Sequence, residues 1–182
     1  MNSNETIPDT QSNLFGRIPE DNHLDASEQQ NDDGLRRCVT FRLDDEVYGV
    51  DVMHVKEVLR YTEIAPVPGS PNYVLGIINL RGNVVTVIDT RTRFGLVAED
   101  PDEMTRIVVM EANDQVIGFM VDSISEVRDI PISIIEGAPH LGNEETSAYI
   151  EGVASVNDEL VILVDLTRIL TETDLNEMAF SP

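Results

Sequence analysis

Three histidines, one cysteine and several neighbouring carboxylates are the side chains of this chain that could take part in chemistry. A zinc site would need ligands spaced as H-x-x-x-H or C-x-x-C, so that they converge on one ion. His23, His54 and His140 are far apart, and Cys38 is single. The pairs Asp44-Asp45 and Glu144-Glu145 could suggest acid–base work. Adjacent residues on a turn point apart, however, and proton transfer needs groups that converge. There is no G-x-x-x-x-G-K, G-x-G-x-x-G or G-x-S-x-G, so phosphate loops and the hydrolase elbow are without local support. The expectation is a protein with no catalytic residues, no metal and no cofactor.

The elements around these residues repeat. Tyr73, Gly76 and Asp89 recur at the same spacings as Tyr149, Gly152 and Asp165, 76 residues on. In both copies an aliphatic run precedes the aspartate: Val84–Ile88 in one, Leu160–Val164 in the other. Upstream, Asp45–Gly49 with Val55, Glu57 and Val58 matches Asp114–Gly118 with Ile124, Glu126 and Val127 at an offset of 69. Two copies of one β-rich unit are expected, and the surface between related halves is a natural docking place. Each copy reads as about five short strands, which close most easily into a small barrel and so remove exposed edges. Asp51, Asp89 and Asp165 are placed to cap short helical turns. Gly82-Asn83 suits a tight hairpin turn between Leu75–Leu80 and Val84–Ile88.

Composition narrows the function. Net charge is −22, from 34 acidic and 12 basic residues. Such a surface repels nucleic-acid backbones, because affinity there rests on cations displacing counterions. It also disfavours anionic membranes. A single cysteine permits no internal disulfide and fits a reducing compartment. The amino terminus has no basic start or apolar run of a signal peptide. Apolar runs such as Leu160–Val164 fall far short of the roughly 20 residues of a membrane helix. A cytoplasmic protein with neither nucleic acid nor direct membrane insertion is expected.

Residues 1–35 hold eight acidic residues and one arginine without apolar periodicity. They bury too little to offset ordering entropy and read as a disordered extension. The globular part is expected over 36–170, in subdomains of roughly 36–96 and 105–165 that could exchange strands. Residues 171–182 read as a helix end and tail. Arg81 marks a difference between the copies, since its counterpart is Asn157. It is either paired with a nearby carboxylate or a fork of donors for a partner.

With Tyr73-x-x-Gly76-x-x-Asn79-Leu80-Arg81-Gly82 and Val87-Ile88-Asp89-x-Arg91 in place, the chain resembles the CheW family of bacterial chemotaxis coupling proteins. Further support comes from Tyr48-Gly49-Val50-Asp51, Ile64-x-Pro66-Val67-Pro68, Val121–Val127 and Leu163–Leu166. The resemblance implies an all-β fold of two pseudo-repeated, five-stranded SH3-like barrels with short helical turns. It implies a non-enzymatic adaptor joining methyl-accepting chemotaxis receptors to the regulatory domain of the histidine kinase CheA. Such a protein would be recruited to membrane-associated receptor arrays. Receptor contacts would fall near Val55, Glu57, Arg81, Ile124 and Val127, and kinase contacts near Val47, Val50, Val52 and Met53. CheV-type relatives add a receiver domain of about 120 residues, for which the chain to Pro182 leaves no room. The other classes kept open are a small-barrel binder of nucleic acid or ligand, disfavoured by charge and few aromatics, and an enzyme, disfavoured by the missing cluster.

Overall fold

Alternating apolar residues and turn-forming pairs yield ten strands in the computed structural model, which describes residues 34–138 and 147–170. In chain order they are β1 (Leu35–Leu43), β2 (Glu46–Asp51), β3 (Val55–Arg60), β4 (Val74–Leu80), β5 (Asn83–Asp89), β6 (Arg106–Ala112), β7 (Gln115–Val121), β8 (Ser123–Pro131), β9 (Ile150–Val156) and β10 (Glu159–Val164). One helical turn, α1 (Thr90–Arg93), follows β5, and 3-10 turns cover Val52–His54, Ile132–Ile134 and Leu166–Arg168. The extension before Gly34, most of the Pro139–Ser147 loop and the 171–182 tail lie outside the described residues, as do His23, His140 and Glu144-Glu145.

The strands form two five-stranded sheets, ordered β8-β1-β2-β10-β9 and β3-β6-β7-β5-β4. Adding five to each strand of the first order, and wrapping past ten, reproduces the second. The internal repeat is therefore visible in the topology. Register carries it further: Val39 faces Val127 and Phe41 faces Ile124 in the first sheet, as Val108 faces Val58 and Met110 faces Val55 in the second. Contiguous halves do not make the sheets, however. β3 to β5 sit with β6 and β7, and β8 to β10 sit with β1 and β2, so each sheet takes strands from both copies.

Each sheet curls until its edges meet. Ala65 bridges Ile77 beside β3 and β4, and Glu136 bridges Val153 beside β8 and β9. Both closures need a glycine. A Cβ on Gly76 would stand 2.0 Å from the Ala65 carbonyl oxygen, and one on Gly152 would stand 2.6 Å from that of Glu136. No side chain fits there, which explains two glycines of the repeated motif. The tyrosine and aspartate of that motif are also tied together. The Asp89 N–H donates to the Tyr73 carbonyl and the Asp165 N–H to the Tyr149 carbonyl, both at 2.8 Å. The aspartate side chains then cap the following turns, accepting from the N–H of Arg91 and of Thr167.

Three cores result. Cys38, Val47, Ala154, Val161 and Leu163 fill the first barrel, and Ile78, Val85, Val87, Ile107 and Val109 fill the second. Four positions correspond through the repeat: Cys38 with Ile107, Ala154 with Ile78, Val161 with Val85 and Leu163 with Val87. The third and largest core lies between the sheets and takes Val39, Phe41 and Val50 from one and Val108, Met110 and Phe119 from the other. Aromatic packing continues from Phe41 to Tyr48, Phe94 and Tyr149, with centroids 4.8–5.7 Å apart.

One turn departs from the sequence expectation. The β4–β5 reversal is made by Arg81 (φ 51°) and Gly82 (φ 86°), and Asn83 already belongs to β5. Both central residues are left-handed, as a type I′ hairpin demands. The Asn79 side-chain oxygen accepts from the Gly82 N–H at 2.9 Å and stiffens the turn.

Candidate partner-binding surfaces

Strand alternation decides what β3 presents. Val55, Glu57 and Leu59 face the half-buried side, while Lys56, Val58 and Arg60 face solvent. β3 and β4 are the two edges of the second sheet, and Arg81 at the end of β4 reaches across to β3. Its Nη1 donates to Glu57 Oε1 at 3.1 Å and its Nη2 to Oε2 at 2.9 Å. This is the fork-to-fork geometry at which guanidinium excels. The Arg81 side chain remains 76% exposed against 24% for Glu57. The arginine is thus both paired and presented. An exposed pair of this kind contributes at most about 1 kcal/mol, so it is a weak strut.

Ile124 and Val127 lie on β8, in the other sheet. Val55 and Ile124, equivalent through the repeat, are partly buried and packed against the core between the sheets. Val127 is 57% exposed. Glu57 and Arg81 are thus brought into contact, while Ile124 and Val127 stand on the opposite barrel.

The expected kinase-contact group divides, and half of it is corrected. Val47 and Val50 are 2% and 1% exposed, one inside the first barrel and the other in the core between the sheets. Both valines enter cores, so neither side chain is accessible to a partner. Val52 is partly buried against the central core, and Met53 is 84% exposed on the 3-10 turn. Asp51 caps that turn by accepting from the Met53 N–H at 2.9 Å.

A buried charge cluster escaped the sequence reading. Arg91, on α1, donates from Nε and Nη2 to both oxygens of Asp122 at 2.8 Å, and from Nη1 to the Val97 carbonyl at 2.9 Å. Glu99 stands 3.2 Å and Asp44 3.5 Å from its Nη2. The Asp44 N–H donates to Asp122 as well, at 2.7 Å. Arg91 therefore ties the second sheet to the β1–β2 turn and to the crossover where the chain passes from β7 to β8. Burial pushes the Asp122 carboxyl up, but its hydrogen bonds from Arg91 and Asp44, and the Arg91 charge, hold it below the usual carboxylate range. The signal available in sequence was the mismatch between Arg91 and its repeat counterpart Thr167.

No group of three His, Cys, Asp or Glu side chains that could hold a metal ion occurs among the described residues. Among the described residues no helix is long and apolar enough to cross a membrane. What the sheets offer is exposed contact area on two barrels.

The CheW-like domain family matches residues 37–174, which is nearly all of the two-sheet unit. The chain belongs to the CheW family. The chemotaxis protein CheW of Helicobacter pylori is 34% identical over 146 residues, covering 80% of this chain and 87% of that protein. The probable chemotaxis protein CheW of Rhizobium etli is 30% identical over 141 residues, covering 78% and 91%. Among solved structures, the scaffolding protein TtCheW of Thermoanaerobacter tengcongensis superposes with a TM-score of 0.71 at 33% identity, covering 77% of this chain and 95% of that one. The all-β expectation of two five-stranded units agrees with this CheW-family fold. Chemotaxis scaffolding is the functional setting that the family supplies.

Proposed function

We propose that this CheW-family protein is an adaptor that couples chemoreceptor tips to the regulatory domain of the CheA histidine kinase and does no chemistry of its own. The observation that carries the reading is the Arg81–Glu57 pair, a presented guanidinium fork on the second barrel, with Met53 exposed on the turn that precedes β3 as a second contact point. Membership in a chemotaxis family supports this choice of partners, and two contact surfaces are what a bridge requires. In this reading Val55, Glu57, Arg81, Ile124 and Val127 contact the receptor. Met53, with the edge of Val52, contacts the kinase. The protein works in the cytoplasm at receptor arrays.

Reconstitution tests it directly. Purified kinase, receptor-bearing membranes and this protein are combined, and kinase autophosphorylation is followed. The expected result is receptor control of the kinase only when this protein is present, with kinase and receptor bound simultaneously. Competition between kinase and receptor for this protein, or receptor control that is the same without it, would sink the proposal.

A further inference from the structure

At one end of the second barrel the chain leaves an open cleft of about 330 Å³. Ile64, Leu75 and Met120 give it an apolar lining that continues the barrel core. Glu99 and Asp100 line it from the connection before β6, and Tyr61 lines it after β3. No arginine, lysine or histidine is among the lining residues. Glu99 is partly engaged with Arg91, while Asp100 has no ion-pair partner among the described residues.

The internal repeat shows what fills such a mouth. In the first barrel Asp51, Glu151 and Asp165 occupy the positions of Met120, Leu75 and Asp89. Only about 10 Å³ remains there, because Arg36 lies in the opening. Its Nε stands 3.4 Å from Asp51, and its Nη2 donates to Glu151. The counterpart of Arg36 in the second barrel is Thr105. That short side chain is turned aside, its hydroxyl accepting from the Asp102 N–H at 2.8 Å. One barrel is plugged by its own arginine. In its twin Thr105 lines an adjoining cavity of about 130 Å³, where Arg91 lies beside Glu99 and Asp122. The cleft of about 330 Å³ has no cationic side chain in its lining and is acidic at the rim.

We propose that the mouth of the second barrel receives an arginine side chain presented by a partner chain. Arginine fits both halves of the cleft. Its methylene stem can lie along Leu75 and Met120 while the charged head stays near the surface. The guanidinium then meets Asp100 and Glu99 and can stack on Tyr61. A carboxylate would be repelled by the rim, and a purely aliphatic side chain would leave it without a counter-charge. None of the receptor or kinase residues named above lines this cleft, so the inference stands or falls separately from the adaptor reading.

The test is an NMR titration of the full-length ¹⁵N-labelled chain with the blocked tripeptide Ac-Ala-Arg-Ala-NH₂ at physiological salt. Matched peptides carry norleucine or glutamate at the centre. Saturable shifts are expected at the amides of Tyr61, Leu75, Glu99, Asp100 and Met120. The norleucine and glutamate peptides should give none. Asp100→Arg, at an exposed position that leaves the fold intact, should weaken binding at least tenfold. Non-saturating shifts spread over the acidic surface would overturn the proposal, as would equal binding of the norleucine peptide or an unaffected Asp100→Arg variant. Concentration-dependent shifts at the same amides without peptide would assign the cleft to a second copy of this chain and equally overturn it.

Discussion

Arg60 and Arg106 stand opposite each other across β3 and β6, at the register position where the first sheet pairs Arg37 with Asp129. In the first sheet this is a bidentate ion pair, with contacts of 2.7 and 3.0 Å. In the second, Arg106 donates, among the described residues, only to the carbonyls of Glu103 and Thr105. Arg60 has no ion-pair partner among the described residues. Like charges facing across a strand pair are unfavourable, and opposite charges contribute roughly 0.2–1 kcal/mol. Arg60→Asp should therefore copy the first sheet's pair and raise stability by about 0.5 kcal/mol. Urea unfolding measures this as a higher midpoint with an unchanged slope. A lower midpoint would mean that the extra negative charge outweighs the new pair.

The Arg91 cluster predicts the opposite behaviour. Arg91→Ala removes a buried guanidinium and leaves Asp122, which is 30% exposed and partly reached by water, without its charged partner. It should cost about 1–3 kcal/mol in urea unfolding. Arg91→Lys should recover little, because an ammonium cannot reproduce the fork on Asp122.

The same pair sets a pH dependence. The folded pKa of Asp122 lies below its unfolded value. Its contribution is therefore fully present above the unfolded pKa, near 3.9, and is lost as pH falls through the folded value. The stability gap between the wild type and Asp122→Asn should be constant from pH 7 to about 5 and close below about pH 4. Denaturation at a series of pH values checks this. A gap that widens on acidification would contradict the assignment.

Met53 and Val50 separate surface from core. Met53→Glu should leave the melting curve unchanged and weaken kinase-domain binding by about 1–3 kcal/mol, as for an interface anchor. Val50→Glu places a charge in the core between the sheets and should abolish cooperative folding, with loss of both partners. Unchanged kinase affinity in Met53→Glu would remove the 3-10 turn from the interface.

On the receptor side, Arg81→Ala should shift stability by less than about 1 kcal/mol, since the pair is exposed. Receptor-fragment affinity should fall by about 1–3 kcal/mol. Binding isotherms beside melting curves distinguish the outcomes, and a stable variant with full affinity would exclude Arg81 from the contact.

Cys38 gives a spectroscopic check on the first barrel. Burial pushes its thiol up to about 11, against the lowering influence of Arg36. The native protein should be inert to a disulfide reagent at pH 8, because the thiolate is the reactive form. Full reactivity should appear together with unfolding in urea. Rapid reaction in the folded state would show that the barrel opens locally.

Much was decided by sequence alone, because the deciding interactions are local. The repeated Tyr, Gly and Asp, the capping aspartates and the aliphatic runs announced two copies of a β-rich unit. Each depends on neighbours within a few residues. Only the tertiary structure decided which strand joins which sheet, since pairing is a long-range choice that local pattern does not encode. It also decided burial on β2. Val47 and Val50 look like ordinary strand residues, yet one enters a barrel core and the other the core between the sheets, so neither side chain reaches solvent. The Arg91–Asp122 contact and the Arg81–Glu57 pair join residues 31 and 24 positions apart. The Arg81–Glu57 geometry exists only once the second sheet has curled until its edges β3 and β4 meet, and the Arg91–Asp122 contact only once β5 has paired in parallel with β7.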